Sequence, residues 1–142
     1  MNFPVDSPQS KDYPRWAREV RKDKLPLRMG EHLEEVKEFF DHYAQSVEKW
    51  RLRNEGYHGT ISSLCQYYIP ASARVLEIGS GTGDLLAATA PRRGVGIDIS
   101  PEMVRLAASK HPDLEFRCMA AESLDLDGRV PSLVVMAASV AP

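Results

Sequence analysis

The apolar run RVLEI at residues 74–78 breaks into a loop with glycine at alternate positions, Gly79-Ser80-Gly81-Thr82-Gly83, and a second apolar run then closes on Asp98. No other feature constrains the fold of this chain as tightly. Short apolar runs bounded by glycine read as buried strands, and the intervening DLLAATAP reads as a helix. Strand, glycine turn, helix and strand together form the repeating unit of a parallel sheet with right-handed crossovers. The alternation continues with a strand in GVGIDI, a helix in SPEMVRLAASKH, and strands in LEFRCM and SLVVMAA. Ser100 is placed to cap the second helix, Pro101 suits its first position, and Glu102 complements its positive end.

Three unequal parts are expected. Residues 1–14 carry Pro4, Pro8 and Pro14 among polar residues and are expected to be disordered. Residues 15–73 form a helical N-terminal segment, and residues 74–142 form the sheet. Within the helical segment, Leu33, Val36, Phe40, Tyr43, Val47 and Trp50 fall on one face of a single helix. Glu34, Glu35, Glu38, Asp41 and Gln45 are expected to face water. Tyr57, Ile61, Leu64 and Tyr68 repeat the pattern in a shorter helix stopped by Pro70. Arg15, Arg18, Arg21, Lys22, Lys24 and Arg28, interleaved with Glu19 and Asp23, read as a solvated helix face.

Composition excludes several kinds of function. In 142 residues, 18 Lys and Arg oppose 20 Asp and Glu, a net charge of −2. So even a balance offers no overall attraction to nucleic acid or anionic lipid. The longest apolar stretch, residues 133–141, is half the length a bilayer span needs. Cys65 and Cys118 lie far apart without Cys-x-x-Cys partners, so neither a disulfide framework nor a metal site is expected. No basic and apolar leader precedes the helical segment, and a cytoplasmic location is expected.

The glycine loop lies at the carboxyl edge of the sheet, where doubly wound folds bind ligands. A dinucleotide fingerprint would place its third glycine at position 84. That position is Asp84, which would repel a pyrophosphate, and the third glycine is Gly83. Glu77 is placed to receive an amine, and the N–H groups opening the next helix can meet a carboxylate. Asp98 follows Gly79 by 19 residues, close to the ~20-residue offset at which an acid reaches a ribose diol. Ile99 can lie against a purine. Amine, carboxylate, ribose and base together describe S-adenosylmethionine (SAM).

The runs VLEIGSGTGD and GVGIDISPEMV, with AES-L at residues 121–124, resemble the class I SAM-dependent methyltransferases, in particular the small-molecule group called type 11. Upstream, FFDHYAQ is similar to a helix that folds over the cofactor in that group. The resemblance implies an α/β fold with a Rossmann-like parallel sheet, here truncated after strand four and preceded by N-terminal helices. It implies cofactor-binding roles for Glu77, Gly79, Ser80, Gly81, Gly83, Asp98, Ile99 and Ala121. The three glycines would line the methionine moiety, Glu77 would orient its amino group, Asp98 would bind the ribose, and Ala121 would offer its N–H to adenine. The partner would be a small-molecule methyl acceptor.

The sequence departs from the family at Ala120, in the strand-four region, where the usual Phe-Asp pair is missing, and in the number of strands. Ala120 stands where an aspartate commonly reaches the adenine amine, which removes one hydrogen bond worth ~1 kcal/mol. The family sheet has seven strands in the order 3-2-1-4-5-7-6, and only the first four are legible, so a truncated chain with an exposed edge at strand four is expected. A non-catalytic SAM-binding fragment is the alternative, and a nicotinamide oxidoreductase a more distant one. His58 and Tyr43 are the candidates for a general base. His32, His42 and His111 show no supporting neighbours, Cys65 and Cys118 read as small buried apolar residues, and Trp16 and Trp50 as packing anchors.

Overall fold

The computed structural model describes residues 33–125 and 131–136. The expected disorder at residues 1–14, the basic cluster at residues 15–28, Trp16 and His32 fall outside the described residues.

Three helices come first among the described residues, α1 (Leu33–Tyr43), α2 (Val47–Arg53) and α3 (Glu55–Tyr68). The sheet portion follows as β1 (Arg74–Ile78), α4 (Asp84–Ala88), β2 (Arg93–Asp98), α5 (Pro101–Lys110), β3 (Glu115–Cys118), a 3-10 turn (Ala121–Ser123) and β4 (Leu133–Met136). All neighbouring strands are parallel and their order is β3-β2-β1-β4. Leu76 on β1 stands in register with Val95 of β2 on one side and Val134 of β4 on the other. The chain winds outward from β1 to β3 and then returns to β4, so the order reverses between β1 and β4. The glycine loop leaves the sheet at that reversal, where such sheets open a crevice.

β1 is covered on both faces, as parallel central strands are, which is why Val75, Leu76 and Glu77 are all buried in succession. On one face Val75 packs with Ile69, Ala73 and Leu86, flanked by Cys65, Leu114 and Phe116. α5 turns Met103 and Ala107 inward. Its expected cap is present: the Met103 N–H donates to Ser100 Oγ at 3.1 Å. Glycine on β2 makes room for a ring, because a Cβ at Gly96 would come within 2.7 Å of the Phe116 side chain.

The helical segment differs from its sequence pattern in three ways. The long helix is broken at residues 44–46. There the Gln45 and Ser46 N–H groups reach back three residues, and the Ser46 hydroxyl donates to the Tyr43 carbonyl at 3.2 Å, competing with the helical ladder. The inward face of α3 is also not the expected one. Leu64 is 50% exposed, Tyr67 81% and Tyr68 73%, while His58, Ile61 and Cys65 turn toward the sheet portion. Finally, Asp41 does not face water. Its Oδ1 accepts from the Ser100 hydroxyl at 2.5 Å and from the Glu102 N–H at 3.3 Å, docking α1 on the N-terminus of α5.

Candidate functional site

The loop after β1 is fastened to β2 by its backbone. The Gly79 and Ser80 N–H groups both donate to the Ile97 carbonyl at 2.9 Å, and the Gly83 N–H donates to Ser80 at 2.8 Å. Gly79, Gly81 and Gly83 all have positive φ. At Gly81 (φ +50°) a Cβ would meet open space, whereas at Gly83 (φ +76°) it would run into the Phe116 ring. One glycine therefore leaves room for a ligand and the other admits a packed side chain.

Both expected acids sit beside this loop. Glu77 is 1% exposed, and its Oε2 accepts the Leu86 N–H at 3.1 Å. One of the N-terminal donors of α4 is thereby consumed by the protein itself, so fewer remain for a ligand carboxylate than the sequence suggests. Burial pushes the Glu77 carboxyl up to about 8, against the pull of the Leu86 hydrogen bond. Asp98 ends β2 and accepts the Gly81 N–H at 2.8 Å through one oxygen and the Ser100 N–H at 2.9 Å through the other. Its burial likewise raises its pKa, opposed by these backbone donors.

Two cavities meet at Gly79. The larger, about 740 Å³, has Glu77, Gly79, Ser80 and Gly81 on the sheet side and Tyr43, Trp50 and His58 on the helical side. The smaller, about 220 Å³, has Gly79, Asp98, Ile99 and Ala121 opposite Leu33, Val36 and Phe40. Of the eight residues given cofactor-binding roles from the sequence, only Gly83 lines neither cavity. Ala121 opens the 3-10 turn, a position whose N–H takes no partner within its own helix. Two buried side-chain atoms on the larger cavity, Ser80 Oγ and His58 Nε2, have no hydrogen-bond partner among the described residues.

Asp84 plays a part that spacing alone does not reveal. It accepts from Thr82 Oγ1 at 2.7 Å, Lys110 Nζ at 2.8 Å and His111 Nε2 at 3.0 Å, and Arg51 Nε lies 3.5 Å away. Burial works against its ionisation, but Lys110 and Thr82 outweigh it and hold the carboxyl below its usual range. Lys110 also pairs with Glu48, so the cluster ties α2 to the ends of α4 and α5. With that charge already matched, Asp84 would not repel a pyrophosphate as its sequence position suggests. The case against a dinucleotide rests on glycine spacing and on the Phe116 ring packed at Gly83. His111 has a supporting neighbour after all. Neither cysteine is buried as expected: Cys65 is half-buried and Cys118 is exposed. Trp50 packs edge-on against Tyr43 (6.4 Å) and His58 (5.3 Å) while also walling the larger cavity.

Residues 75–141, just under half of the chain, match the methyltransferase domain family. A demethylmenaquinone methyltransferase of Chlorobaculum tepidum is 41% identical over 59 residues, covering 39% of this chain and 24% of that protein. Its counterpart in Chlorobaculum parvum is 41% identical over 54 residues, 36% of this chain and 22% of that one. The chain thus spans about a quarter of the length of the curated relatives it matches. Among solved structures, DesVI of Streptomyces venezuelae superposes with a TM-score of 0.57 at 23% identity, covering 68% of this chain and 43% of that one. Magnesium protoporphyrin IX methyltransferase of Synechocystis PCC 6803, with bound SAH, gives 0.56 at 21%, covering 73% and 57%. These likenesses show the fold. Residues 75–141 match the methyltransferase domain family, and sheet order, loop and relatives all support a class I SAM-dependent methyltransferase.

Proposed function

We propose that this chain binds SAM across the two cavities and that the enzyme transfers a methyl group to a small-molecule acceptor. The observation that carries this reading is the pair of buried acids, Glu77 and Asp98, flanking a loop whose Gly81 leaves open space. The residues fit that group. Ser80 Oγ, buried and without a partner among the described residues, supplies a polar contact that a ligand can satisfy. Glu77 would hold the amino group, with Gly79, Ser80 and Gly81 along the methionine chain. Asp98 retains lone pairs for the ribose hydroxyls, Ile99 would lie against the base, and Ala121 would donate its N–H to it.

When bound, SAM supplies an activated methyl group on a good leaving group. What remains for the protein is alignment and exclusion of water. The α1–α2 face serves both, closing over the two cavities with Phe40 on one side and Trp50 on the other. A cavity of about 740 Å³ is within the ~300–1,000 Å³ range of small-molecule sites, which supports an acceptor of that size. A reducing, cytoplasmic setting suits two unpaired thiols. No helix among the described residues is long and apolar enough to cross a membrane.

Calorimetry on the full chain with SAM, SAH and NAD tests the reading. Binding of SAM and SAH but not NAD is expected. Absence of SAM and SAH binding, or NAD binding of equal strength, would overturn it.

A further inference from the structure

We infer that Glu122 makes the smaller cavity selective for a 6-aminopurine, its carboxylate accepting from the exocyclic amine of the base. The inference rests on the SAM-dependent reading above and names the residue that sets base specificity in the same site.

Among the described residues around the smaller cavity, Asp98 and Glu122 are the two with polar side chains. Asp98 is 7% exposed, holds the Gly81 and Ser100 N–H groups, and is assigned to the ribose. Glu122 differs on each count. It lies within the 3-10 turn that walls the cavity, it is exposed, and its carboxylate has no hydrogen bond or ion pair among the described residues. The rest of the wall is apolar there, with Ile99, Met119 and Ala120 on the sheet side and Val36 and Phe40 opposite. Such surfaces hold any flat base and distinguish none, so orientation and choice fall to the few polar groups.

The edge of the base decides what that wall must supply. A 6-aminopurine presents an acceptor at N1 beside a donor at the amine, whereas a 6-oxopurine presents a donor beside an acceptor. With the Ala121 N–H given to the base, the amine calls for an acceptor on the same turn. The carbonyls of Ala120 and Ala121 already accept the Ser123 and Leu124 N–H groups, at 3.0 and 3.3 Å. Glu122, next to Ala121, brings two unpartnered oxygens, and a carboxylate can only accept. Toward a 6-carbonyl the same group would set acceptor against acceptor, so it rejects as well as selects. Val36 and Phe40 of α1 keep the cavity apolar on its other side, and a hydrogen bond made away from water discriminates more strongly than one made in it.

Calorimetry on the full chain compares SAH with its 6-deamino analogue, in which hydrogen replaces the amine and N1 is kept. SAH should bind about tenfold more tightly, the scale of one hydrogen bond to a charged group. In Glu122→Ala that preference should shrink to within about twofold, with SAH weakened and the analogue unaffected. Glu122→Gln should keep part of the preference, because its amide oxygen accepts. Its amide NH2 can also donate, so S-inosylhomocysteine, with a 6-carbonyl, should bind this variant several-fold more tightly than it binds the unsubstituted chain. An equal loss for SAH and the analogue in Glu122→Ala would make Glu122 a structural residue of the turn and overturn the inference. So would unchanged SAH affinity in that variant, or no preference in the unsubstituted chain. In each case SAH binding keeps the broader reading standing, whereas failure of SAH itself to bind would overturn both. Should Glu122→Ala not fold, Glu122→Gln decides, and S-inosylhomocysteine affinity unmoved by it refutes the assignment.

Discussion

Asp98 holds Gly81 by its backbone, one carboxylate oxygen accepting the Gly81 N–H at 2.8 Å. The acid proposed for the ribose is therefore also the clamp that sets the glycine loop. Its second oxygen fixes Ser100, the cap of α5. Asp98→Ala removes both anchors and the sugar contact together. A loss of about 1.5–3 kcal/mol in SAH affinity is expected, with a lower melting temperature as well. Calorimetry and thermal unfolding on the same samples measure the two effects. Unchanged affinity would remove Asp98 from the sugar site.

Glu77 makes stability depend on pH in a direction opposite to that of most acids. Its ordinary value is 4.5, and in the fold it rises to about 8 because burial disfavours the charge. Between those values the folded chain holds a proton that the unfolded chain has released, so stability falls as pH increases. The contribution is complete below pH 4.5 and gone above about 8. Melting temperature measured across this window should decline for the unsubstituted chain and flatten in Glu77→Gln, whose amide oxygen can still accept from Leu86. An ammonium group arriving at Glu77 would favour the ionised form, so SAM binding near pH 7 should release a proton. Titrations in buffers of different ionisation enthalpy detect it.

Gly83 and Gly81 separate packing from ligand access. Alanine at either pays for a left-handed backbone, about 1–2 kcal/mol. Only at Gly83 does the new methyl also strike the Phe116 ring, adding about 1–3 kcal/mol of overpacking. Gly83→Ala should thus be the more destabilising, and Phe116→Leu should recover part of the loss in the double variant. Gly81→Ala should instead weaken SAH binding more than its effect on stability suggests. Denaturant unfolding and calorimetry on all four variants check the division.

These residues also indicate how far reading the chain alone can go. The strands were legible because each is a short apolar run with glycine or proline beside it, and the α5 start because Ser100, Pro101 and Glu102 act locally. The α/β class and the placing of Glu77 and Asp98 beside the loop followed from such local signals, whereas the strand order followed from the resemblance to the methyltransferases. What escaped depends on contacts distant in sequence. Asp41 looked solvated because nothing near it reveals the N-terminus of α5, 59 residues later. Asp84 looked like a bare charge because Arg51 from α2 and Lys110 and His111 from the end of α5 converge on it. The glycine at 83 looked like part of a ligand cradle, and only the Phe116 ring on β3 assigns it to packing. The break at residues 44–46 was hidden for another reason: the apolar period runs straight through it, since Tyr43, Val47 and Trp50 still face one cavity.

Asp41 fastens the helix that covers the smaller cavity. Its Oδ1 takes the Ser100 hydroxyl and the Glu102 N–H, while Ser100 Oγ in turn accepts from Met103. Leu33, Val36 and Phe40, on the same helix, wall the region assigned to ribose and base. Asp41→Ala leaves Ser100 free to cap α5 alone, so global stability should fall by only about 0.3–1 kcal/mol, the scale of one carboxylate at a helix N-terminus. The larger effect should be local, because α1 itself has no fully buried residue to hold it down. Amide exchange across residues 33–43 should accelerate, and SAH should bind several-fold more weakly, with Asp41→Asn intermediate since its amide oxygen still accepts. Bound SAH should restore protection over the same residues in the unsubstituted chain. Exchange and affinity both unchanged in Asp41→Ala would mean that α1 is held by its apolar face alone.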